Sequence, residues 1–391
     1  MSRAASADID LNAILHNYRL AKRLAPASCA VAVIKADAYG HGAVAVARAL
    51  HGDADAFAVA CIEEALELRE AGITLPILLL EGFFEEDELE TIAREQLWCT
   101  IHSPHQIEAL KRTRLPQPIH VWLKLDSGMH RVGISPPDYQ TTYNTLRGLQ
   151  NVGDVVLMTH LACADELNSP NTDAQIACFD AASAGLEAPA SLANSAATLA
   201  WPQAHRNWLR PGMMLYGASP FTHPQDHADH LQPAMTLHSR IIAIRDLQAG
   251  DSIGYGADYV CKHPSRVATV AMGYGDGYPR QAKSGTPVMV KGRRTGLVGR
   301  VSMDMLSIDV TELPDAQVGD TVEFWGKNLS LNEVADYCNT IPYTLVTGIS
   351  RRVPRRYRAS ASARPGKVPA DPAGVSTGLD PESRIPSIPL A

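Results

Sequence analysis

Between residues 29 and 217, short runs of consecutive apolar residues alternate with stretches whose apolar positions recur every three or four residues. The runs fall at 29–34, 57–61, 77–80, 97–101, 119–125, 155–161, 190–193 and 208–215. A run that is apolar throughout, rather than at every second position, suits a strand covered on both faces, as in a parallel sheet. The intervening stretches carry helix signals. IEEALELREA at 62–71 closes on Gly72, residues 85–94 repeat the pattern, and residues 105–112 follow a Ser-Pro start. Eight β-then-α units in series predict a closed (β/α)8 barrel, with an open doubly wound sheet as the alternative.

The texture changes after about residue 225. Residues 235–247, 266–272, 287–291, 296–310 and 321–325 are short β-like stretches separated by turn signals such as Gln248-Ala249-Gly250-Asp251 and Lys291-Gly292. One helical segment near 331–338 interrupts them. The chain thus reads as an α/β protein: an N-terminal TIM-type barrel over 1–225, then a mainly antiparallel β domain over 226–357. Residues 358–391 are rich in Pro, Ser, Ala and Gly, bury little surface, and read as a disordered tail.

Composition narrows the function classes. With 391 residues, 46% hydrophobic and 20% charged, the chain has ample material for a large core. A net charge of −7 argues against a dedicated nucleic-acid binder. No apolar run approaches the roughly 20 residues that span a bilayer, so no membrane partner is expected. The opening MSRAASADIDLNAIL lacks the basic-then-apolar secretory pattern, which reads as cytoplasmic. The seven cysteines are scattered and form no C-x-x-C pair, so reduced core thiols are expected and no metal site.

The sharpest chemical feature is Lys35, in CAVAVIKADAYGHG, at the C-terminal end of the first buried run. In a barrel that end faces the site built by the βα loops. An amine at the end of an apolar strand either points to solvent or is used as a Schiff-base nucleophile. Phosphate sites in barrels are frequently built by the loops after strands seven and eight. Here those loops carry Asn194 and Ser195, then Arg210, Gly212 and Met213, and Tyr39 lies four residues past Lys35. Taken singly, Asn-Ser is a helix cap and Arg-Pro-Gly a turn. A lysine and a phosphate pocket at one barrel mouth are what pyridoxal phosphate requires.

The segments VIKADAYGHG, KLDSGMHRVG, HLACAD, LANSAA, RPGMMLYG, GYGDGYPR and GRVSMDM occur in order and resemble the alanine racemase family, barrel-type (fold type III) pyridoxal-phosphate enzymes. The resemblance runs from about residue 5 to residue 357 and implies the same barrel and β domain. It implies that Lys35 carries the cofactor and serves as one catalytic base, with Tyr255 as the second. Tyr39, Ser195, Gly212, Met213 and Tyr343 would hold the phosphate, with Asn194 beside them as a cofactor-binding candidate from its loop position, His160 would pack on the ring, and Arg210 would meet the pyridine nitrogen. Arg131 would lie near the ring hydroxyl and the substrate, with Lys124 at a position often carbamylated in this family. Met303, Asp304 and Tyr274 would line the substrate site. Because Tyr255 and Met303 serve the partner's site in the family, the resemblance implies a homodimer with shared active sites. The activity it implies is interconversion of L- and D-alanine, supplying D-alanine for peptidoglycan.

Removing a proton from one face of Cα and returning it on the other calls for two opposed groups. A permanently charged Arg210 would keep a neighbouring pyridine nitrogen unprotonated, weakening the electron sink and disfavouring transamination. Other readings stay open: a racemase for serine or another amino acid, a barrel decarboxylase, or a non-catalytic pyridoxal-phosphate carrier. A barrel metallohydrolase using His120, His130 and His160 with a carbamylated Lys124 is a further alternative. GYGDGY lacks the spacing and βαβ context of a dinucleotide site. The basic run Arg351, Arg352, Arg355, Arg356 and Arg358 reads as a solvated domain end.

Overall fold

The computed structural model describes residues 3–358. The chain opens with strand β1 (Ser6–Asp10) and helix α1 (Leu11–Leu24). The Asp10 carboxylate caps that helix by accepting from the backbone N–H groups of Asn12 and Ala13. Eight parallel strands follow: β2 (Cys29–Val33), β3 (Ala56–Val59), β4 (Ile77–Leu79), β5 (Trp98–Ile101), β6 (Ile119–Lys124), β7 (Val152–Met158), β8 (Ala190–Ser191) and β9 (Trp208–Leu209). They pair in sequence order from β2 to β8, and β9 returns to pair with β2. The nearly closed ring is the expected barrel.

The last two strands are only two residues long, shorter than the apolar runs that predict them. Pro211 has no N–H to give a ladder, and the chain turns into a 3-10 segment at Met213–Tyr216. Side chains complete the seam instead. Ser191 Oγ donates to the Trp208 carbonyl (2.7 Å) and the Ala190 N–H donates to Asn207 Oδ1 (2.8 Å). The N-terminal end of the barrel is filled by Trp98, Trp122 and Trp208, whose ring centroids lie 5.4–5.9 Å apart.

The second sheet is organised on the long bent strand β10 (Met235–Leu247), with a register shift between Ile241 and Ala243. A small hairpin, β11 (Ser252–Ile253) with β12 (Tyr259–Val260), precedes β13 (Ser265–Val270), β14 (Pro287–Val290), β15 (Arg293–Val298), β16 (Leu306–Asp309), β17 (Thr321–Trp325) and β18 (Arg355–Arg358). The order β13-β16-β15-β14-β17-β10-β1-β18 is antiparallel except for the last pair. A division of the sequence at residue 225 puts Ser6–Asp10 with the barrel, whereas the backbone pairs β1 with β10 and β18. Ala5, Ala7 and Ile9 alternate into the core there, an assignment that rests on partners more than two hundred residues away. The expected tail lies outside the described residues apart from Arg358, which ends β18. No helix among the described residues is long and apolar enough to cross a membrane.

Buried Asn17 of α1 ties the barrel to the segment leaving it. Its Nδ2 donates to the carbonyls of Leu215 (3.0 Å) and Gln232 (2.8 Å), and its Oδ1 accepts from the Gln232 N–H (2.9 Å). Asn17→Leu keeps the branched shape but removes the partner of three backbone groups, the Leu215 carbonyl among them being buried. It should destabilise the chain by about 2–3 kcal/mol, read as a lower urea midpoint; an unchanged midpoint would show that water substitutes for the amide.

Candidate active site

The site begins where β2 ends. Ile34 is fully buried, Lys35 is half-buried at the C-terminal mouth of the barrel, and the backbone then does something unusual. Ala36, Asp37, Ala38 and Tyr39 have φ of 52–53° and ψ of 43–52°, a left-handed turn built from four successive non-glycine residues. Left-handed helical backbone costs an L-residue about 1–2 kcal/mol, so such a run persists only when its surroundings hold it. Glu64, in the first turn of helix Ile62–Glu70, accepts from the Ala36 N–H with one oxygen (2.6 Å) and from the Ala60 N–H with the other (2.7 Å). Asp37 Oδ1 accepts from the Ala43 N–H (2.8 Å). The buried His41 turns Nδ1 toward the carbonyls of Tyr39 (2.9 Å) and Ala38 (3.1 Å), which makes Nδ1 the protonated nitrogen. Burial lowers the pKa of His41 to about 4, so it is neutral at physiological pH.

The turn delivers Tyr39 to the loops after β8 and β9. The Tyr39 ring lies 4.8 Å from that of Tyr216 and 5.8 Å from that of Tyr343 (centroid to centroid), and Tyr216 donates to the Val33 carbonyl (2.9 Å). A Cβ at Gly212 would stand 2.9 Å from Tyr39 Oη, so the glycine leaves room for the phenol. Ser195 Oγ accepts from the backbone N–H groups of Gly212 (2.9 Å) and Met214 (3.3 Å), folding the two loops together around buried Met213. Asn194 caps helix Ser195–Ala200 through the Ala197 N–H (3.1 Å) and donates Nδ2 to the Leu161 carbonyl (3.1 Å). Its amide thus shapes the loop. Burial, then Asp165, raises the Tyr343 phenol to about 12, and burial raises that of Tyr39 as well; both are neutral donors.

Cations converge on the same mouth. Arg210 is buried and donates to Ser191 Oγ (2.5 Å) and to the carbonyls of Thr159 (2.5 Å) and Leu192 (3.3 Å), with no carboxylate among these partners. Burial lowers its pKa to about 10, so it stays charged. Lys124 ends β6 and is buried; burial first, then Arg131, Arg210 and Lys35, lower it to about 8. Burial and the same cations hold His160 well below the usual histidine range. The carboxylate acting on Lys124 is that of Asp126, which is itself engaged by the N–H groups of Gly128 (3.1 Å) and His130 (2.9 Å). Around Lys124 and His160 the cations Lys35, Arg131 and Arg210 thus outweigh the Asp126 carboxylate, an environment that suits an anion.

Four expected site residues stand elsewhere in the single chain. Tyr255 is 70% exposed and Met303 53% exposed on the β domain, and Tyr274 is also at the surface. Gly254 and Gly256, on either side of Tyr255, lie against Arg300, while the Tyr274 and Gly275 N–H groups donate to the carbonyls of Ser302 (3.0 Å) and Met303 (2.8 Å). Asp304 pairs with Arg352 (2.5 Å). The stretches around 255, 274 and 303 thus form one exposed rim. Of the alternative metal ligands, His120 pairs with Asp154 (3.2 Å), His130 with Asp126 (3.1 Å), and His160 alone lies at the mouth. Among the described residues no three His, Cys, Asp or Glu side chains are grouped to hold a metal.

Glu64, His41 and Tyr216 did not stand out in the sequence. Glu64 looks like part of a solvated helix face; the available signal is an acid in the first turn of the helix that follows a barrel strand.

Two family profiles match in order: "Alanine racemase, N-terminal domain" over residues 9–220 and "Alanine racemase, C-terminal domain" over 234–357. The chain is 59% identical over 355 residues to a protein of Pseudomonas putida named catabolic alanine racemase, covering 91% of this chain and 99% of that protein. An alanine racemase of Pseudomonas taetrolens shows the same identity and coverage. The crystal structure of the biosynthetic alanine racemase of Pseudomonas aeruginosa superposes with a TM-score of 0.89 at 49% identity, covering 91% of this chain and all of that one. The structure of alanine racemase from Acinetobacter baumannii gives 0.85 at 38% identity, with 91% and 100% covered. On sequence and on fold alike, this chain belongs to the alanine racemase family.

Proposed function

We propose that the chain interconverts L- and D-alanine with pyridoxal phosphate as cofactor, using Lys35 and Tyr255 as bases on opposite faces of the substrate. The observation that carries this reading is the convergence of Lys35, Lys124, Arg131 and Arg210 on one barrel mouth. An anionic cofactor and a carboxylate substrate offset that charge. The residues fit the group: Tyr39, Ser195, Gly212, Met213 and Tyr343 would hold its phosphate, Asn194 holds their loop, neutral His160 would pack on its ring, and Arg131 would serve its ring hydroxyl. When bound, pyridoxal phosphate supplies an electron sink that acidifies the substrate's Cα–H.

Lys35 would remove or return the Cα proton on one face of the substrate. Tyr255 serves the other face from a second copy of the chain, since in one chain it stands exposed on the β domain rim with Met303, Asp304 and Tyr274, the residues that would receive the substrate. The reading is therefore of a homodimer with shared sites. Arg210 remains charged, and beside a bound cofactor it would keep the ring nitrogen unprotonated and so disfavour transamination. Lys124 is partly unprotonated near neutrality, the form that takes up carbon dioxide, and its carbamate would anchor Arg131. A cytoplasmic enzyme supplying D-alanine for peptidoglycan completes the reading, with the barrel supplying the cofactor-binding residues named above except Tyr343, which comes from the β domain; growth of a D-alanine auxotroph on the cloned gene tests the supply.

Incubation with L-alanine in deuterated water should give Cα exchange and inversion together. Protein that binds cofactor yet exchanges no amino acid would instead be a carrier, and faster exchange on serine would shift the substrate. Tyr255→Phe should retain cofactor and lose at least about a hundredfold in exchange from one enantiomer. Arg210→Glu should raise transamination per racemisation turnover, and an unchanged ratio refutes the role given to Arg210. For Lys124, the folded pKa lies below the unfolded one, so the unfolded chain binds more protons between about pH 8 and 10.5 and stability rises through that window. In carbonate-free buffer without cofactor, Lys124→Met should be more stable than wild type at pH 7 by up to about 3 kcal/mol, with the gap closing by pH 10.5. Parallel urea curves at all pH values would contradict this.

A further inference from the structure

The basic run at the end of the β domain is solvated at Arg351, Arg352, Arg356 and Arg358, as expected, but not at Arg355. Arg352 is paired with Asp276 (2.9 Å) and Asp304 (2.5 Å), and Arg358 with Asp8 (2.5 Å). Arg355 differs from both, because its four described bonds all go to carbonyls. Nε donates to Gly40 (3.1 Å), Nη1 to Ser350 (2.9 Å) and Val353 (3.0 Å), and Nη2 to Ile349 (2.9 Å). A guanidinium is a rigid planar fork, so these acceptors are fixed relative to one another.

The two ends of that fork are informative. Gly40 follows Tyr39 directly and closes the left-handed turn, whereas Ile349, Ser350 and Val353 follow the helix Pro342–Thr347 that carries Tyr343. The turn and the helix already touch: a Cβ at Gly40 (φ +77°) would collide with the Val346 carbonyl, and one at Gly42 (φ +94°) with Tyr357 of β18. Tyr39 and Tyr343, the two phenols of the cradle, thus stand on segments far apart in sequence, and Arg355 bonds both segments.

We propose that Arg355 is a positioning residue for the cofactor site: it latches the Lys35–Gly40 turn to the β domain and sets the spacing of the Tyr39 and Tyr343 hydroxyls. This rests on the cofactor reading above. The turn is strained and holds its shape only through outside support. Loss of the latch lets Gly40 drift from Val346, opens the phenol pair and misaims Lys35.

The test titrates pyridoxal phosphate into cofactor-free wild type, Arg355→Lys, Arg355→Ala and, as a control, the exposed Arg356→Ala, reading bound cofactor by its visible absorbance. Binding is measured well below each thermal transition. The half-saturation concentration should rise about tenfold in Arg355→Ala, the scale of one or two lost hydrogen bonds. It should rise less in Arg355→Lys, which keeps one donor, and stay unchanged in Arg356→Ala. Ethylguanidinium should restore binding to Arg355→Ala. If the alanine variant does not fold, the lysine variant alone carries the comparison. A lowered thermal transition with wild-type half-saturation would mean a purely structural arginine and overturn the latch. Wild type that takes up no cofactor would overturn the cofactor reading itself, whereas wild-type binding matched by both Arg355 variants overturns only the latch.

Discussion

Four successive left-handed residues are the constraint on which the rest of the site turns. At about 1–2 kcal/mol each, Ala36 to Tyr39 hold strain comparable to much of a domain's net stability. No single hydrogen bond offsets that, so the turn is gripped from several directions. Glu64 holds its first N–H, Asp37 its exit and His41 its last two carbonyls. The contacts reach from the next barrel unit and from the second sheet, where Tyr357 of β18 lies against Gly42. β18 itself is seated beside β1, which explains why the first strand of the chain belongs to the second sheet. The placement of one lysine at the end of β2 is thereby coupled to how the two sheets dock.

The cations at the mouth are framed with the same redundancy. Arg210 donates to the Thr159 carbonyl, and the Thr159 hydroxyl joins Ser127 (2.7 Å) and the Leu125 carbonyl (3.0 Å). Buried Gln175, on helix Asn171–Ala182, donates to the His160 carbonyl (3.1 Å) and accepts from the Ala162 N–H (2.8 Å). Lys124, His160 and Arg210 therefore stand on one network of short bonds spanning β6, β7 and the loop after β9. Like charges held this close repel, and neutral acceptors orient them without neutralising them. A mouth built in this way is preorganised for an anion, since little reorganisation remains when one arrives.

The barrel was legible because buried parallel strands leave continuous apolar runs, a signal that needs only neighbouring residues. Lys35 was legible for the same reason, as a charge interrupting such a run. The left-handed turn was not, since residues 36–39 contain no glycine and local propensity disfavours the backbone they adopt. Glu64 and Arg355 were hidden because their acceptors and donors are backbone groups brought near by topology, leaving no trace in spacing or composition. The short β8 and β9 show the converse. Their apolar runs continue past the ladder into loops that are buried for the sake of the mouth, so burial and strand pairing part company at the functional end of the barrel.

The exposed rim of the β domain is the counterpart of the mouth in the proposed reading. Among the described residues, the mouth offers the cations, His160 and the phenols of Tyr39 and Tyr343, arriving from the barrel side or from the Tyr343 helix. Tyr255, Tyr274, Met303 and Met305 are large and partly apolar, yet they lie open to water in the single chain. Exposed side chains of this kind in a cluster mark a surface built to be covered. Racemisation calls for a proton donor opposite Lys35, and Tyr255 stands exposed on a glycine-flanked 3-10 turn whose two glycines lie against Arg300. If Tyr255 is the second base, as proposed, it can face Lys35 only across an interface between two copies of the chain. In the reading proposed above, assembly and catalysis are then one geometric requirement, and the strain around Lys35 and the exposure of Tyr255 are its two halves.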